Sequence, residues 1–354
     1  MRSVKNTINL NLSKQFGVGL AEVMISIVVG LFILAGVFQL YATSSQNAST
    51  LNGVQVIQEN ARFLFSRLED DVKQAGYAGC LSLVRGNETL TDENRRITNL
   101  IKTNAGAGQL YDFTRVVSGS NNDGAGAIAS DSLVVRYASA RDRYPVISTS
   151  PGAAQLAIDA TAAATVKQDD VVMAGDCSRL VIFKASADGS SGTITYAAGD
   201  TDPNVSIDTQ QVFFRSSTPG ALDQLGKGTS PSYVYIGDTG AVEYKIGKSA
   251  SATGSQDCSA TTPQFCALKR NGEELVDGVE SFQVEFGWQD PTDNNKLYFS
   301  DAAFVASNNA WHSVDRVRVT AILNSLETAQ KNDGIGLLNK TFSRVFVLPN
   351  HVAI

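Results

Sequence analysis

The chain has 354 residues, of which 43% are hydrophobic, and a formal net charge of −6 at pH 7. This length allows one large domain or two ordinary ones, each with a buried core. The acidic balance argues against a broad electrostatic surface for nucleic acid, so no direct nucleic-acid partner is expected.

An apolar run from Val23 to Leu40 dominates the amino-terminal part of the sequence. From Val18 to Tyr41, a helix that rises about 1.5 Å per residue covers roughly 36 Å, which is enough to cross a bilayer core. Glu22 lies at the start of this run. An acidic side chain in a membrane segment costs on the order of 2–3 kcal/mol, so Glu22 is expected to have a partner and a role.

Three interpretations of this run compete. A cleaved secretory signal would be shorter and would end at a small-x-small cleavage site, which this sequence lacks. An ordinary signal anchor accounts for the length but gives no role to Gly17 or Glu22. In the third interpretation the cut falls after Gly17, and the run is kept as an anchor and packing helix. Basic residues precede the run and the next one is Arg62, which predicts a cytoplasmic amino terminus and an exported body.

Gly17, the hydrophobic Val18 and Glu22, the fifth residue after the cut, resemble a type IV prepilin. The resemblance implies that a prepilin peptidase cleaves after Gly17 and that Val18 is N-methylated. Loss of residues 1–17 lowers the basic residues from 29 to 26 against 35 acidic ones, a net charge of −9. An ion pair of the freed amine with Glu22, one helical turn away, would offset desolvation and fix the axial register of assembly. The alternative for Glu22 is a carboxylate that snorkels at the membrane interface.

A helical period continues beyond the apolar run. Its apolar members, three or four residues apart, are Val54, Ile57, Ala61, Leu64 or Phe65, Leu68, Val72 and Ala75. The sequence therefore predicts one long helix from about Val18 to Ala75, with a softer stretch near Ser44–Gly53. Gly76 is expected to end it.

Two segments after the run resemble PilW-type minor pilins of type IV pili. They are Gln58-Glu59-Asn60-Ala61-Arg62-Phe63, followed by Leu68 and Asp71, and the turn Ala75-Gly76-Tyr77-Ala78-Gly79-Cys80. The likeness is strong over Phe16–Cys80, weak in the middle of the chain and patchy over Leu275–Asn350. Near the end, Pro349 replaces the Arg of an Arg-Asn pair that related chains usually carry.

Strand patterns follow the helix. The segment Leu83–Gly126 is mixed and is interpreted as loops with short elements. The candidate strands are Leu133–Ala138, Asp170–Ala174, Leu180–Lys184, Thr193–Tyr196, Val212–Arg215, Tyr233–Ile236, Ala241–Ile246, Phe265–Lys269, Ser281–Trp288, Val314–Leu323 and Phe342–Leu348. Asn271-Gly272 predicts a hairpin turn, and Ala153–Ala164 is interpreted as a short helix.

These elements predict an α+β fold, in which a long amino-terminal helix packs on a large antiparallel β-rich head. No internal repeat divides the head, so one elaborated domain is favoured over two. The expected divisions are a leader at 1–17, a membrane or filament-core half of the helix at 18–42, an amphipathic half at 43–79 and the head at 80–354.

Four cysteines, Cys80, Cys177, Cys258 and Cys266, form an even set without a Cys-x-x-Cys pair. In an exported chain this favours two disulfides over a zinc site. Cys258 with Cys266 is the expected local pair, which leaves Cys80 with Cys177. The other two connectivities stay open at this stage.

Motifs of catalysis are absent from the sequence. It contains two histidines and no nucleophile elbow, His-Glu-x-x-His, P-loop or dinucleotide fingerprint, so no enzyme activity and no cofactor are expected. Asp290 and Asp293 group hard oxygen ligands and are weak candidates for Ca²⁺. The segment lacks the central Gly and distal Glu of an EF-hand loop, and a plain turn is the favoured interpretation.

The resemblance implies a minor pilin that helps to initiate and cap a type IV pilus from a priming or tip complex. Its implied partners are other minor pilins, the major pilin, a large tip adhesin, the prepilin peptidase and the inner-membrane assembly platform. It would span the bacterial inner membrane once, amino terminus inside, and lie at the pilus tip after assembly. The alternatives are a minor pseudopilin of a type II secretion system and a signal-anchored periplasmic binding protein.

Overall fold

The structure is a computed structural model that describes residues 19–83, 97–101, 110–123, 129–150, 154–177, 180–197, 204, 231–290, 293, 296–331 and 334–350. It has one long amino-terminal helix and a β-rich head, which confirms the predicted α+β fold class.

The long helix, α1, runs without a break from Leu20 to Gln74. Its 55 residues correspond to about 82 Å at about 1.5 Å per residue. The softer stretch expected near Ser44–Gly53 is helical throughout. Burial begins at Gly53, and the buried residues of the second half are Gly53, Ile57, Ala61, Leu64, Phe65, Leu68, Asp71 and Val72. The helix is therefore exposed along its first half and packed along one stripe of its second half.

The head contains many short strands and a few long ones. Among the described residues the strands are β1 (Tyr77–Ala78), β2 (Leu81–Ser82), β3 (Ile97–Asn99), β4 (Val117–Ser120), β5 (Ser132–Tyr137), β6 (Arg143–Pro145), β7 (Ser148–Ser150), β8 (Gln155–Ala157), β9 (Val171–Gly175), β10 (Leu180–Lys184), β11 (Thr193–Thr195), β12 (Tyr233–Tyr235), β13 (Gly240–Lys248), β14 (Cys266–Arg270), β15 (Glu273–Asp277), β16 (Val279–Asp290), β17 (Lys296–Ser300), β18 (Arg316–Lys331) and β19 (Gly334–Val347). Two short helices, α2 (Ala160–Ala163) and α3 (Ala302–Ser307), lie between strands.

The strands form four main sheets. The helix sheet has the order β17-β16-β18-β19, and the central sheet has the order β15-β14-β13-β5-β4. The outer sheet has the order β3-β10-β9-β12-β6, and a three-stranded sheet has the order β11-β8-β7. All described strand pairs are antiparallel except β3 with β10.

Two hydrophobic clusters hold these layers together. The first joins the second half of α1 to the helix sheet and the central sheet, with Leu64 and Leu68 of α1 fully buried beside Val319 and Phe282. The second lies between the outer sheet and the three-stranded sheet, around Phe183. Because the first cluster includes α1, removal of the helix would expose the core of the head.

The predicted hairpin is present at Asn271-Gly272. Both turn residues have positive φ, 52° and 83°, as a two-residue type I′ turn requires. The turn joins β14 to β15 and sets their antiparallel register.

The helix expected over Ala153–Ala164 is wrong for most of its length. Gln155–Ala157 is strand β8, and only Ala160–Ala163 is helical. Asp159 is the reason, because its side chain accepts hydrogen bonds from the backbone N–H groups of Thr161 and Ala162 and so starts the helix there.

Two other strand predictions had different outcomes. Val212–Arg215 lies outside the described residues. The strand predicted over Val314–Leu323 is longer, since β18 extends to Lys331 and keeps pairing with β19 beyond an irregularity after Asn324.

Candidate functional site

The first half of α1 presents apolar side chains to its surroundings. Large hydrophobic residues from Leu20 to Tyr41 are exposed, including Phe32 at 77% and Phe38 at 72%. An 18-residue window here has a mean hydropathy of 2.5 and no buried residue. In the described part of the chain, this is the one helix that is long and apolar enough to cross a membrane. Such a surface needs lipid or other helices around it.

Glu22 lies in the first turn of α1, exposed among these apolar residues. Its backbone N–H donates to Gly19 at 2.9 Å, and its backbone carbonyl accepts from Ser26 at 2.7 Å. No described residue forms an ion pair with its carboxylate. Gly17 and Val18 lie outside the described residues, so cleavage, N-methylation and an amine–carboxylate pair stay predictions.

The second half of α1 carries a buried carboxylate at its junction with the head. Asp71 has no exposed surface and accepts hydrogen bonds from Tyr137 at 2.8 Å, from Tyr244 and from Arg270 Nε at 2.8 Å. Tyr137 lies on β5, Tyr244 on β13 and Arg270 at the end of β14. One side chain of α1 is therefore bound by three strands of the central sheet.

The buried junction shifts the pKa values of the three side chains that donate to Asp71. Burial alone would lower the pKa of Arg270, but the hydrogen bond and the attraction of Asp71 raise it above its ordinary value. Burial and then the charge of Asp71 raise the pKa of both Tyr137 and Tyr244, so both phenols remain protonated donors. A buried carboxylate with this many donors is stable only when all of them are in place.

Asp238 extends the network to the surface. It accepts from Arg67 of α1 at 3.0 Å and from Arg270 at 3.3 Å. Burial acts to raise the pKa of Asp238, but Arg270 and Arg67 outweigh it and hold the pKa below its ordinary value. Two arginines and two carboxylates thus link α1 to the central sheet.

The turn after α1 has a specific conformation. Gly76 follows the helix with φ of 77°, a left-handed value that suits glycine. Gly79 has φ of 74°, and a Cβ there would lie 2.0 Å from the Tyr235 hydroxyl. Tyr77 packs edge-on against Tyr235, with ring centroids 6.3 Å apart. The Gly-Tyr-x-Gly spacing therefore has a structural reason. The two glycines allow the left-handed backbone bends, and the tyrosine between them packs against Tyr235.

The carboxy-terminal segment caps the end of α1. The side-chain amide of Asn350 donates to the carbonyls of Lys73 at 3.1 Å and Ala75 at 3.2 Å. These carbonyls belong to the last turn of the helix, which has no intrahelical donor for them. The backbone carbonyl of Asn350 accepts from Ser82 at 2.9 Å. Asn350 thus holds the helix end and β2 together, a role that the sequence analysis missed.

Two disulfides occur with the pairing that the sequence favoured. Cys80, at the end of the turn, is bonded to Cys177 in the connection between β9 and β10. Cys258 is bonded to Cys266, the first residue of β14. The first bond links the end of α1 to the outer sheet, and the second closes a short loop.

The calcium candidate has limited support. The Asp293 carboxylate accepts a hydrogen bond from Tyr298 and lies 3.7 Å from Lys296 Nζ. Among the described residues, no group of three or more His, Cys, Asp or Glu side chains could hold a metal ion. The side-chain surroundings of Asp290 are not described.

One of three comparisons with known proteins found a match. Residues 243–345 match the model of the PilW family, type IV pilus-assembly protein W. The matched range begins within β13, ends within β19 and covers most of the sheet on which α1 packs. The searches of curated proteins and of solved structures gave no match.

The resemblance to PilW-type pilus proteins is thus confirmed over residues 243–345. The match lies in the carboxy-terminal part of the chain, where the resemblance in sequence was patchy. It does not include Phe16–Cys80, where that resemblance was strong. The match supports a role in type IV pilus assembly, and it is to an assembly family rather than an enzyme family. Together with the exposed apolar helix, it indicates a membrane-anchored protein of the cell envelope or surface.

Proposed function

We propose that this chain is a minor pilin that helps to initiate and cap type IV pilus assembly. One observation carries the proposal. A single helix is apolar and exposed along its first half, while its second half is fixed to the β-sheet region that matches a pilus-assembly family. A rigid link between an unpartnered apolar rod and a folded head is what a filament subunit requires.

The apolar half of α1 serves two environments in turn. In the inner membrane it spans the bilayer with the amino terminus inside, and in the filament it packs against the helices of neighbouring subunits. Both environments cover the exposed hydrophobic side chains. When the subunit moves from the membrane into the filament, these side chains therefore remain shielded from water. The head stays outside the membrane in both states.

Glu22 is proposed to set the axial position of the subunit. After cleavage behind Gly17, the N-methylated Val18 amine provides a cation one helical turn from Glu22 or close to the Glu22 of a neighbour. In a low dielectric this attraction offsets the cost of burying the carboxylate. A misplaced subunit would leave Glu22 without a partner and would be disfavoured.

The partners follow from a place in a priming or tip complex. They are other minor pilins, the major pilin, a large tip adhesin, the prepilin peptidase and the inner-membrane assembly platform. The size of the head supports a tip position, because a large head is accommodated where no subunit stacks above it. The divisions of the chain are those of the sequence analysis, with residues 1–17 as the leader and 80–354 as the head.

Deletion of this chain in its native host, with surface pili counted by electron microscopy, tests the proposal. We expect few or no pili, with full recovery when the intact chain is supplied from a plasmid. Recovery should fail when the supplied chain carries a substitution of Gly17 that blocks cleavage. Normal piliation in the deletion strain would contradict the proposal.

Mass spectrometry of the mature protein provides a second readout. A chain that begins at a methylated Val18 supports the pilin, whereas an intact Met1 in a strain with normal pili supports the signal-anchored alternative. If the mature chain begins at Val18 but deletion affects only protein secretion, the type II secretion pseudopilin is the better assignment.

A further inference from the structure

A groove runs along the head between α1 and the edge strand β19. It has a volume of about 650 Å³ and is open to the surface. Phe65 of α1 and Phe342 of β19 supply apolar surface, and Arg62, Lys340 and Arg344 lie along the rim. It lies on the head, away from the apolar half of α1.

β19 is an edge strand beside this groove. It pairs with β18 on one side, and no described strand pairs with it on the other. Every second N–H and C=O of an edge strand points away from its sheet and can pair with an added strand. β19 has 14 residues, against five for β17 at the opposite edge. The longer edge offers much more backbone for pairing.

The side chains of β19 that face the groove form an ordered series. Lys340, Phe342 and Arg344 alternate along the strand and so share one face, which is the face towards α1. A strand added beside β19 would place its own alternate side chains next to these three. On the added strand, acidic side chains next to Lys340 and Arg344 and an apolar side chain next to Phe342 would be favourable. These three positions are two residues apart.

The rim has more positive than negative charge. Arg344 is paired with Glu69 at 2.7 Å, and Glu69 also binds Lys73 at 2.7 Å. Arg62 and Lys340 are exposed and have no carboxylate partner among the described residues. The groove is therefore locally basic on a chain whose formal net charge is −6.

We propose that this groove binds an extended acidic segment of another protein, which adds to β19 as a further strand. Its side chains that enter the groove follow the pattern acidic, apolar, acidic at every second position. Backbone pairing with β19 supplies affinity, and Arg62, Lys340 and Arg344 select the acidic side chains. The inference extends the proposed assembly role but depends only on the geometry of the head.

A second copy of β19 does not fit this site. The strand Gly334–Val347 contains Lys340 and Arg344 and no acidic residue. Two such strands side by side would bring like charges together, which is unfavourable. Basic residues on an edge strand also discourage indiscriminate pairing with other chains. Prevention of such pairing accounts for the basic residues of β19. It does not account for the groove beside Phe65 and Phe342.

The experiment measures binding of synthetic peptides to the full-length chain in detergent by fluorescence anisotropy. The probe is a labelled peptide of about ten residues. In its extended form, Glu and Val alternate along the face that would enter the groove, and Ser occupies every position of the other face. Three matched peptides serve as controls. In the first, Lys replaces Glu; in the second, Pro occupies the central position; in the third, the same Glu and Val residues are distributed over both faces. We expect the probe to bind and the three matched peptides to bind at least about tenfold more weakly.

Variants of the chain locate the binding. Arg62→Glu and Lys340→Glu should each weaken probe binding about tenfold, because each reverses a rim charge without breaking an ion pair of the described residues. Arg141→Glu, before β6 and outside the lining of the groove, is the matched control, because Arg141 is exposed and forms no ion pair among the described residues; this variant should bind as the unaltered chain does. Thermal unfolding of each variant identifies a loss of binding that comes from misfolding.

Four outcomes would overturn the proposal. The first is equal binding of the probe by the control and both rim variants. The second is equal binding of the probe and the proline or lysine peptide. The third is a photo-cross-linker at Ser66, which lines the groove from α1, that reacts with another part of the same chain rather than with the probe, because the groove would then be occupied internally. A single-stranded oligonucleotide that binds the groove in preference to the probe would overturn it as well.

Discussion

Arg270 donates a 2.8 Å hydrogen bond from Nε to the buried carboxylate of Asp71, across 199 residues of sequence. Because Asp71 belongs to α1 and Arg270 ends β14, this contact joins the long helix to the head. Tyr137 and Tyr244 donate to the same carboxylate. A shift of α1 by one turn, about 5.4 Å, would separate Asp71 from all three donors. The network therefore fixes the axial position of the helix on the head.

Substitution of Asp71 by Ala is expected to destabilise the head strongly. It leaves Arg270 largely buried without its main partner, and the loss of one partner of such a pair costs roughly 3–5 kcal/mol. Urea unfolding of the purified chain in detergent, followed by tryptophan fluorescence, measures the change. Asp70→Ala is the matched control, since Asp70 is exposed one residue earlier on α1. An equal stability of the two variants would contradict this role of Asp71.

The depressed pKa of Asp238 predicts a loss of stability in acid. Its pKa is lower in the folded chain than the ordinary 3.8, so its contribution is complete above about pH 3.8. The contribution is lost as the pH falls through the lower, folded pKa. Since Asp238 is half exposed, we expect less than about 1 kcal/mol. Thermal unfolding from pH 7 to pH 2 should show Asp238→Asn less stable than the unaltered chain at pH 7, with the difference closing in acid.

Gly53 marks the point where α1 first meets the head. A Cβ at this position would lie 3.0 Å from Ser325 Cβ and 3.2 Å from Leu338 Cδ1, in the hairpin of β18 and β19. Gly53→Leu should therefore push the hairpin away and raise hydrogen exchange in Leu323–Leu338. Gly36→Leu is the control, because a Cβ there meets nothing within 4 Å in the isolated chain. Equal exchange in the two variants would show that the contact is unimportant.

The two disulfides are expected to contribute unequally. Cys80 and Cys177 are 97 residues apart, so loss of their bond by double substitution to Ser should cost about 4–5 kcal/mol in loop-closure entropy. Cys258 and Cys266 are 8 residues apart, and the corresponding loss is about 2–3 kcal/mol. Urea midpoints of the two double variants measure the difference. The reverse order would mean that loop length does not determine the stabilisation here.

The local features of this fold could be predicted from the sequence. The apolar period of α1, the left-handed Gly76 and the Asn271-Gly272 turn depend on neighbouring residues, and each is present in the structure. The helix expected over Ala153–Ala164 failed because small residues carry little periodic signal, and the Asp159 cap decides where the helix starts.

The junction could not be predicted in the same way. The three donors to Asp71 lie 66, 173 and 199 residues away in sequence, so no local pattern pairs them. A signal did exist, because Asp71 lies on the apolar stripe of α1 between Leu68 and Val72. An acid at such a position must be bound from across the core. The cap by Asn350 left no comparable signal.

Substitution of Glu22 by Ala separates its role in assembly from a role in the membrane. Removal of a carboxylate from an apolar segment favours insertion by on the order of 2–3 kcal/mol, so export and membrane insertion should be intact. Piliation should fall if Glu22 is the proposed partner of the Val18 amine, since the axial position of the variant would no longer be selected. Glu59→Ala is a suitable control, as Glu59 is exposed on the second half of α1. Immunoblots of membrane fractions and pilus counts by electron microscopy give the two readouts, and normal pili with Glu22→Ala would remove Glu22 from the mechanism.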